Sequence, residues 1–151
     1  MKKYSLIALL FLGVMCTGCT NQYFTIDTDN ESFHGAFISR DLSHGDVQMQ
    51  NEKGNVQCAG VLFINEFEKT KDDDNKKYSE ANVQLSCSDG RLLKGVLQGY
   101  TTTNWSGKIQ DQFKKEYELT VISKKEYKKD FGNTKYTKQS YIELIDELVK
   151  Y

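Results

Sequence analysis

VQCAGVLFINEF at residues 56–67 and ANVQLSCS at residues 81–88 are the two stretches that decide the fold. Both combine β-branched residues with an alternation of apolar and polar side chains, which is the pattern of half-buried β-strands. Residues 69–77 between them carry three consecutive aspartates, a composition typical of a solvated loop. The sequence therefore predicts an antiparallel β-hairpin.

Two cysteines predict the register of this hairpin. With its centre between Asp72 and Asp73, Cys58 lies opposite Cys87, and both share an apolar face that includes Leu62. A slip of one residue would turn every side chain to the other face, so this agreement favours the register. We therefore predict a Cys58–Cys87 disulfide that closes about 30 residues and stabilises the domain by roughly 3 to 4 kcal/mol.

Further strands are predicted on both sides of the hairpin. Ser88-Asp89-Gly90-Arg91 indicates a tight turn, because Asp-Gly readily takes the positive φ values of a type I′ turn. The other predicted strands show the same alternation of apolar and polar residues; they lie at residues 35–39, 92–101, 105–110 and 117–122. Together these strands form an antiparallel meander.

Two helices are predicted after the strands. Ser123-x-x-Glu126 and Ser140-x-x-Glu143 both match the capping box, in which a hydroxyl and a carboxylate satisfy free amides at a helix start. The first helix ends near Gly132, which suits a C-terminal cap, and the second carries apolar residues at helical spacing. We expect an α+β fold: a small antiparallel β-meander or partly closed barrel with a C-terminal amphipathic helix.

The first residues have the features of an export signal. Lys2 and Lys3 precede an apolar run at residues 6–15. This run is too short for a membrane-spanning helix, which needs about 20 residues. It therefore predicts a cleaved signal and not a retained span.

Thr17-Gly18-Cys19 follows this run and places two small residues directly before a cysteine. The arrangement resembles bacterial lipoproteins processed by the lipoprotein signal peptidase, although Cys16 stands where that family usually has Leu. The resemblance implies cleavage between Gly18 and Cys19, a diacylglycerol thioether on the Cys19 sulfur and an acyl group on its new α-amino end. Several acyl chains give stable membrane attachment without a protein span.

The resemblance also implies a domain layout. Residues 1–18 are the lipoprotein signal peptide, residues 19–32 the lipid anchor and a polar tether, and residues 33–151 a single globular envelope domain. A first edge strand at residues 23–26 is an alternative for part of the tether.

The cell envelope is the expected location. Residue 20 is Thr and not the Asp that resembles an inner-membrane retention signal. We therefore expect the outer membrane if the organism has one, and otherwise the cell membrane. The envelope is oxidising, which favours a disulfide between Cys58 and Cys87.

Charge limits the classes of partner. A formal net charge of -1 and a pI near 6.1 give no reason to expect nucleic acid, which needs a basic surplus. Residues 114–138 nevertheless contain eight lysines against four acidic residues. This segment is interpreted either as a surface for anionic lipid headgroups, acidic glycan or an acidic partner, or as the solvated face of a short helix.

Trp105, the only tryptophan, follows a polar stretch at residues 100–104. An exposed Trp beside hydroxyls and an amide would stack on a sugar, and a Trp buried in the core is the alternative. The candidate contact surface consists of Lys124, Lys125, Lys128, Lys129 and Trp105.

His34 and His44 are the only histidines. A hairpin centred near Asp41 separates them by four positions on one face, roughly 13 Å, which excludes a shared metal ion. A hairpin centred on Ser39 would place them directly opposite each other. The sequence contains no Gly-rich phosphate loop, paired-histidine zinc motif or serine elbow, and no metal or other cofactor is predicted.

Three classes of function follow from these patterns. The leading hypothesis is a non-catalytic envelope lipoprotein, held at the membrane through lipid on Cys19, that binds or supports an unknown envelope protein or polymer. A small-ligand carrier is an alternative, and it requires an apolar cavity inside the sheet. A small hydrolase is another, and it requires His34 or His44 in a concave pocket beside an acidic residue with a perturbed pKa.

Overall fold

The computed structural model describes residues 22–41, 43–70, 77–99, 105–132, 134, 136 and 138–149. Within these residues, eight antiparallel strands close into a barrel and two helices lie outside it. The strands are β1 (Gln22–Asp27), β2 (Ser32–Ser39), β3 (His44–Asn51), β4 (Gln57–Thr70), β5 (Lys77–Cys87), β6 (Leu92–Gly99), β7 (Trp105–Gln110) and β8 (Glu116–Ile122). The helices are α1 (Lys124–Phe131) and α2 (Lys138–Leu148).

Each strand pairs with the next along the chain, and β1 pairs with β8 to close the barrel. This last pairing aligns Phe24 with Val121 and Ile26 with Leu119. The predicted antiparallel meander is confirmed, but its closure is complete and not partial. The α+β label is also corrected, because the closed sheet dominates the fold and the helices only cover part of its wall.

β1 corrects the prediction that residues 19–32 form a tether. Residues 22–27 pair with β2 on one side and β8 on the other, so the alternative first strand is present and is not an edge. The polar residues that suggested a tether belong to the β1–β2 turn, where the Glu31 amide donates to Thr28 Oγ1. The barrel therefore begins at Gln22, close to Cys19 in the chain.

The predicted register of the β4–β5 hairpin is confirmed. Cys58 lies directly opposite Cys87, both side chains are buried, and a disulfide joins them. The strands are longer than predicted, because β4 continues to Thr70 and β5 begins at Lys77. The pairing shifts register after Ile64, as at a β-bulge.

Alternate residues of each strand point into the barrel, and large side chains fill one half of the interior. The fully buried side chains of this half include Ile26, Phe33, Met49, Leu93 and Tyr117. We call this the closed end; its turns follow β1, β3, β5 and β7. Close packing leaves little space there, whereas the opposite end, called the open end, is less filled.

The β5–β6 turn at the closed end corrects the predicted turn type. The Gly90 amide donates to the Cys87 carbonyl, and Gly90 has φ +87°. Among the described residues, Lys114 is the one non-glycine with positive φ, so Asp89 does not meet the requirement of a type I′ turn. The geometry is that of a type I turn followed by a left-handed glycine.

Arg91 covers the core at the closed end. Its guanidinium forms ion pairs with Glu31 (2.9 Å) and Asp89 (2.6 Å), and it lies 5.0 Å from the centroid of the Phe33 ring. Burial lowers the pKa of Arg91, but hydrogen bonds to Asp89, Glu31 and Tyr117 outweigh it and raise that pKa. A charged side chain thus closes this end without an uncompensated charge.

α1 has the predicted N-terminal cap. Ser123 Oγ accepts a hydrogen bond from the Glu126 amide, and the Glu126 carboxylate accepts one from the Ser123 amide. The helix ends at Gly132, whose amide donates to the Lys128 carbonyl. Tyr127 is the buried residue that attaches this helix to the barrel wall.

α2 confirms the C-terminal amphipathic helix and corrects its cap. The helix begins at Lys138, so Ser140 and Glu143 lie inside it and do not form a capping box. Ser140 Oγ instead donates to the Gln48 side chain on β3, at 3.0 Å, and Tyr141 is buried against the wall. Within the part of the chain that the structure describes, neither helix is long and apolar enough to cross a membrane.

Candidate functional site

The open end of the barrel contains a cavity of about 290 Å³. Its inner surface is apolar and its rim is polar; the lining residues are Gln22, Phe37, Ser39, Asp41, Ser43, His44, Gly45, Leu62, Ile64 and Trp105. Pockets for drug-sized ligands span about 300–1,000 Å³, so this cavity, just below that range, suits only a small ligand. The apolar cavity that a small-ligand carrier requires is therefore present.

Four apolar side chains form the inner wall of this cavity. Phe37 and Trp105 are 6% and 8% exposed, and Leu62 and Ile64 are partly buried against the same core. The Trp105 indole packs on Gly99, its partner on β6, where a Cβ atom would come within 2.5 Å of the ring. Gly99 is therefore the residue that lets the indole lie against the β6 backbone.

Phe24 packs behind Phe37, which lines the cavity. Its ring stacks on Phe37 with centroids 4.6 Å apart, and Phe24 is fully buried. The large side chains of the closed end lie beyond it. The cavity is therefore confined to the open half of the barrel.

The β2–β3 turn forms a polar part of the rim. Asp41 Oδ1 accepts hydrogen bonds from the amides of Ser43 (2.8 Å) and His44 (2.7 Å), and it lies 3.1 Å from His44 Nδ1. The Ser43 amide, followed by the His44 side chain, lowers the pKa of Asp41 to about 2. Asp41 is therefore ionised near neutral pH and places a negative charge at the rim.

These three rim residues lack the geometry of a nucleophilic relay. Ser43 Oγ and Asp41 Oδ1 each lie 3.1 Å from the same imidazole nitrogen, Nδ1 of His44. A Ser-His-Asp relay needs the hydroxyl and the carboxylate on different ring nitrogens. In this arrangement the trio orders the turn at the mouth of the cavity.

His34 lies outside the cavity, on the barrel wall beneath α1. Its Nδ1 is 2.6 Å from the Tyr127 hydroxyl, and its ring stacks on Phe131 with centroids 4.3 Å apart. The Tyr136 hydroxyl donates to the His34 carbonyl at 3.1 Å. Burial lowers the pKa of His34, and the charge of Glu52 opposes this shift. The cluster fastens α1 to the barrel.

The two histidines are far apart. His34 pairs with Gln50, so the β2–β3 hairpin is centred on residue 42, one residue beyond Asp41. His34 and His44 are therefore six positions apart along the ladder, roughly 20 Å. The prediction that they do not share a metal ion agrees with this geometry.

The candidate contact residues fall into two places. Lys124, Lys125, Lys128 and Lys129 are all exposed on α1. Trp105 is buried, so its interpretation as an exposed sugar-stacking residue is wrong and the core alternative applies. Residues 100–104 and the predicted lipidation site, Gly18 and Cys19, lie outside the described residues.

No local sequence pattern distinguishes the cavity residues from other core residues. Phe37, Leu62 and Ile64 have the alternation of inward-facing strand residues, and this signal assigned them only to a core. Their role as a cavity wall depends on closure by β1 and β8, which no local pattern indicates. Among the described residues, no group of three or more His, Cys, Asp or Glu side chains is placed to hold a metal ion.

Comparisons with known proteins give structural similarity but no family. No protein-family model and no curated protein matches this chain. The chain is similar to a solved structure from the de novo design of a fluorescence-activating β-barrel, with 14% sequence identity and a TM-score of 0.49. That similarity covers 71% of this chain and 94% of the designed one. The function is therefore argued from the cavity itself.

Proposed function

We propose that this protein is a lipid-anchored, non-catalytic envelope protein that binds a small apolar ligand in the open end of its barrel. The cavity of about 290 Å³, apolar inside and polar at its rim, carries the proposal. Of the functions considered from the sequence, the small-ligand carrier is the one that requires such a cavity. A closed barrel also suits this role, because paired strands all round hold the cavity walls rigidly.

The lining residues define the chemistry of the ligand. Phe37 and Trp105 offer aromatic surface to a flat or branched apolar group. Gln22 and the ionised Asp41 at the rim favour a neutral or cationic polar end and disfavour an anionic one. The ligand is therefore an amphiphile of modest size whose polar end remains at the mouth.

Anchoring is supported by the N-terminal sequence. The cationic start, the short apolar run and Thr17-Gly18-Cys19 resemble a lipoprotein signal, with Cys19 as the mature N-terminus. Intact mass of the membrane-extracted protein is expected to show the loss of residues 1–18 and the addition of acyl mass. Recovery of an unmodified soluble chain from wild-type cells would contradict the anchor.

Ligand binding is tested with an uncharged apolar probe. A chain of residues 20–151 retains all the described strands and helices, and N-phenyl-1-naphthylamine fluoresces when it enters an apolar site. We expect saturable binding of one probe per chain. Leu62→Phe fills the cavity with the larger ring and should weaken probe binding at least tenfold.

Val61→Phe provides the matched control. Val61 precedes Leu62 on β4 and points to the outer wall, where it is 37% exposed. The same added bulk there should leave probe affinity within about twofold. Equal losses in both variants, or no loss in either, would place the probe elsewhere and contradict the proposed function.

A further inference from the structure

We propose that the open end of the barrel faces the membrane to which Cys19 is attached, and that the α1 lysines contact anionic phospholipid headgroups there. This inference rests on the lipid anchor of the proposed function. It adds an orientation for the barrel and a second membrane contact.

The length of chain between the anchor and the barrel is the first observation. Only Thr20 and Asn21 separate Cys19 from Gln22, the first residue of β1. An extended chain covers at most about 3.6 Å per residue, so the acylated residue lies within roughly 11 Å of Gln22. Gln22 itself lines the open-end cavity. Acylation of Cys19 therefore brings the mouth of the cavity, and not the closed end, to the bilayer surface.

The position of α1 is the second observation. β8 ends at Ile122, which pairs with Tyr23 next to Gln22, so α1 starts at the open end beside the anchor. Its four lysines are exposed; they are Lys124, Lys125, Lys128 and Lys129. Clusters of lysines next to a membrane attachment are attracted to anionic lipid. The basic surface and the anchor thus lie on the same side of the barrel.

Contact through the anchor and α1 together brings β1 and β8, which pair with each other, toward the surface. A ligand dissolved in the bilayer then has a short path to the cavity.

Trp105 serves as the probe of this orientation because it is the only tryptophan and lines the open-end cavity. The full-length, lipidated protein is placed in vesicles of phosphatidylcholine and phosphatidylglycerol at about three to one. Nitroxide groups on lipid headgroups quench nearby tryptophans. We expect Trp105 to be quenched at least twofold more than a tryptophan at the closed end.

The matched control moves the tryptophan along the barrel. Phe113, 79% exposed, lies in the β7–β8 turn at the closed end, so Trp105→Phe with Phe113→Trp relocates the probe by roughly 20 Å. If that variant does not fold, Phe113→Trp alone should add emission that the nitroxide lipids leave unquenched. Equal quenching at both positions, or stronger quenching at position 113, would overturn the orientation.

Charge reversal tests the second contact. Lys124→Glu with Lys125→Glu should reduce the quenching of Trp105 in the anionic vesicles to the level seen in pure phosphatidylcholine. Lys53→Glu with Lys94→Glu changes the net charge equally at exposed positions away from α1 and should leave the quenching unchanged. Equal effects of the two double variants would overturn the headgroup contact.

The outcomes separate this inference from the function on which it rests. A protein without acyl mass overturns both the anchor and the orientation. If the lipidated protein binds the apolar probe normally but the nitroxide lipids quench position 113 more than Trp105, only the orientation is overturned. Loss of probe binding with Trp105 still quenched overturns the ligand site and leaves the orientation standing.

Discussion

Lys114 occupies a backbone conformation that glycine adopts more easily. Its φ is +69°, and its amide donates to the Asp111 carbonyl in the β7–β8 turn, as Gly90 does to Cys87 in the β5–β6 turn. A non-glycine residue in this region costs roughly 1 kcal/mol. Lys114→Gly is therefore expected to raise the free energy of unfolding by about 0.5–1 kcal/mol, measured by urea denaturation.

Lys115→Gly is the control for this substitution. Lys115 has no positive φ, and its ammonium lies 5.3 Å from the centroid of the Tyr117 ring. Glycine there removes the contact and adds chain entropy, so the free energy of unfolding should fall. If both glycine variants lose stability, the strain assigned to Lys114 is wrong.

Single residues also show what the sequence can and cannot predict. The pairing of Cys58 with Cys87 followed from alternation together with a hairpin centre in the aspartate run, because a slip of one residue turns the side chains to the other face. The burial of Trp105 could not be predicted from the sequence, because a tryptophan after a polar stretch is equally compatible with the surface and the core. Gly99, which accommodates the indole, is recognisable as its partner only once β6 and β7 are paired.

The attachment of α1 to the barrel depends on the protonation of His34. The buried imidazole lies 2.6 Å from the Tyr127 hydroxyl, and its pKa is lowered by burial and raised by Glu52, with a net lowering. An unfolded histidine has a pKa of about 6.5, so the folded state binds the proton less well than the unfolded chain. Stability should therefore fall as the pH drops below about 6.5, until it passes the folded pKa.

Two histidine variants check this pH dependence by urea midpoints between about pH 7.5 and pH 5. His34→Gln should flatten the decline, whatever its effect on stability at neutral pH. His44→Gln, at a side chain that is 60% exposed, leaves His34 in place, so the decline should persist in that variant. If stability still decreases with falling pH in His34→Gln, groups other than His34 cause the pH dependence.

The strands and helices were predicted correctly where the sequence pattern that specifies them is local. The β4–β5 hairpin and the Ser123 cap of α1 depend on residues close in sequence, and both are confirmed. The β1 strand was offered only as an alternative to a tether, because its partners β2 and β8 determine its state. Ser140 matched a cap motif, but α2 starts two residues earlier and its hydroxyl bonds Gln48.

The disulfide connects β4 and β5, two neighbouring strands of the barrel. It closes a separation of 29 residues between Cys58 and Cys87. Replacing both cysteines with alanine should lower the free energy of unfolding by roughly 3 to 4 kcal/mol, because the unfolded chain gains freedom. Urea denaturation of the variant and the wild type measures the difference.

Thiol labelling gives the matching control on the natural protein. Wild-type protein that is isolated without reductant and then denatured should label negligibly, and reduction should expose two thiols. Two free thiols before reduction would contradict the bridge and the register argument together.

At the scale of the whole molecule, closure was the step that the sequence did not predict. Alternation assigns inward faces to each strand, and it predicted a meander, but the pairing of β1 with β8 joins segments nearly a hundred residues apart. The cavity depends on that closure, because its lining comes from strands as far apart in sequence as β1 and β7. Gln22 and Trp105 both line it, and no sequence motif relates them.

The most direct test of the proposed ligand site maps backbone amide shifts while N-phenyl-1-naphthylamine is added to residues 20–151. We expect the shifts to concentrate around the open-end cavity, at Phe37, Gly45, Leu62 and Ile64. Amides of Gly54 and Gly90, in turns of the closed end, should stay unchanged. Shifts centred on the closed end or on the α2 wall, with the open end unaffected, would contradict it.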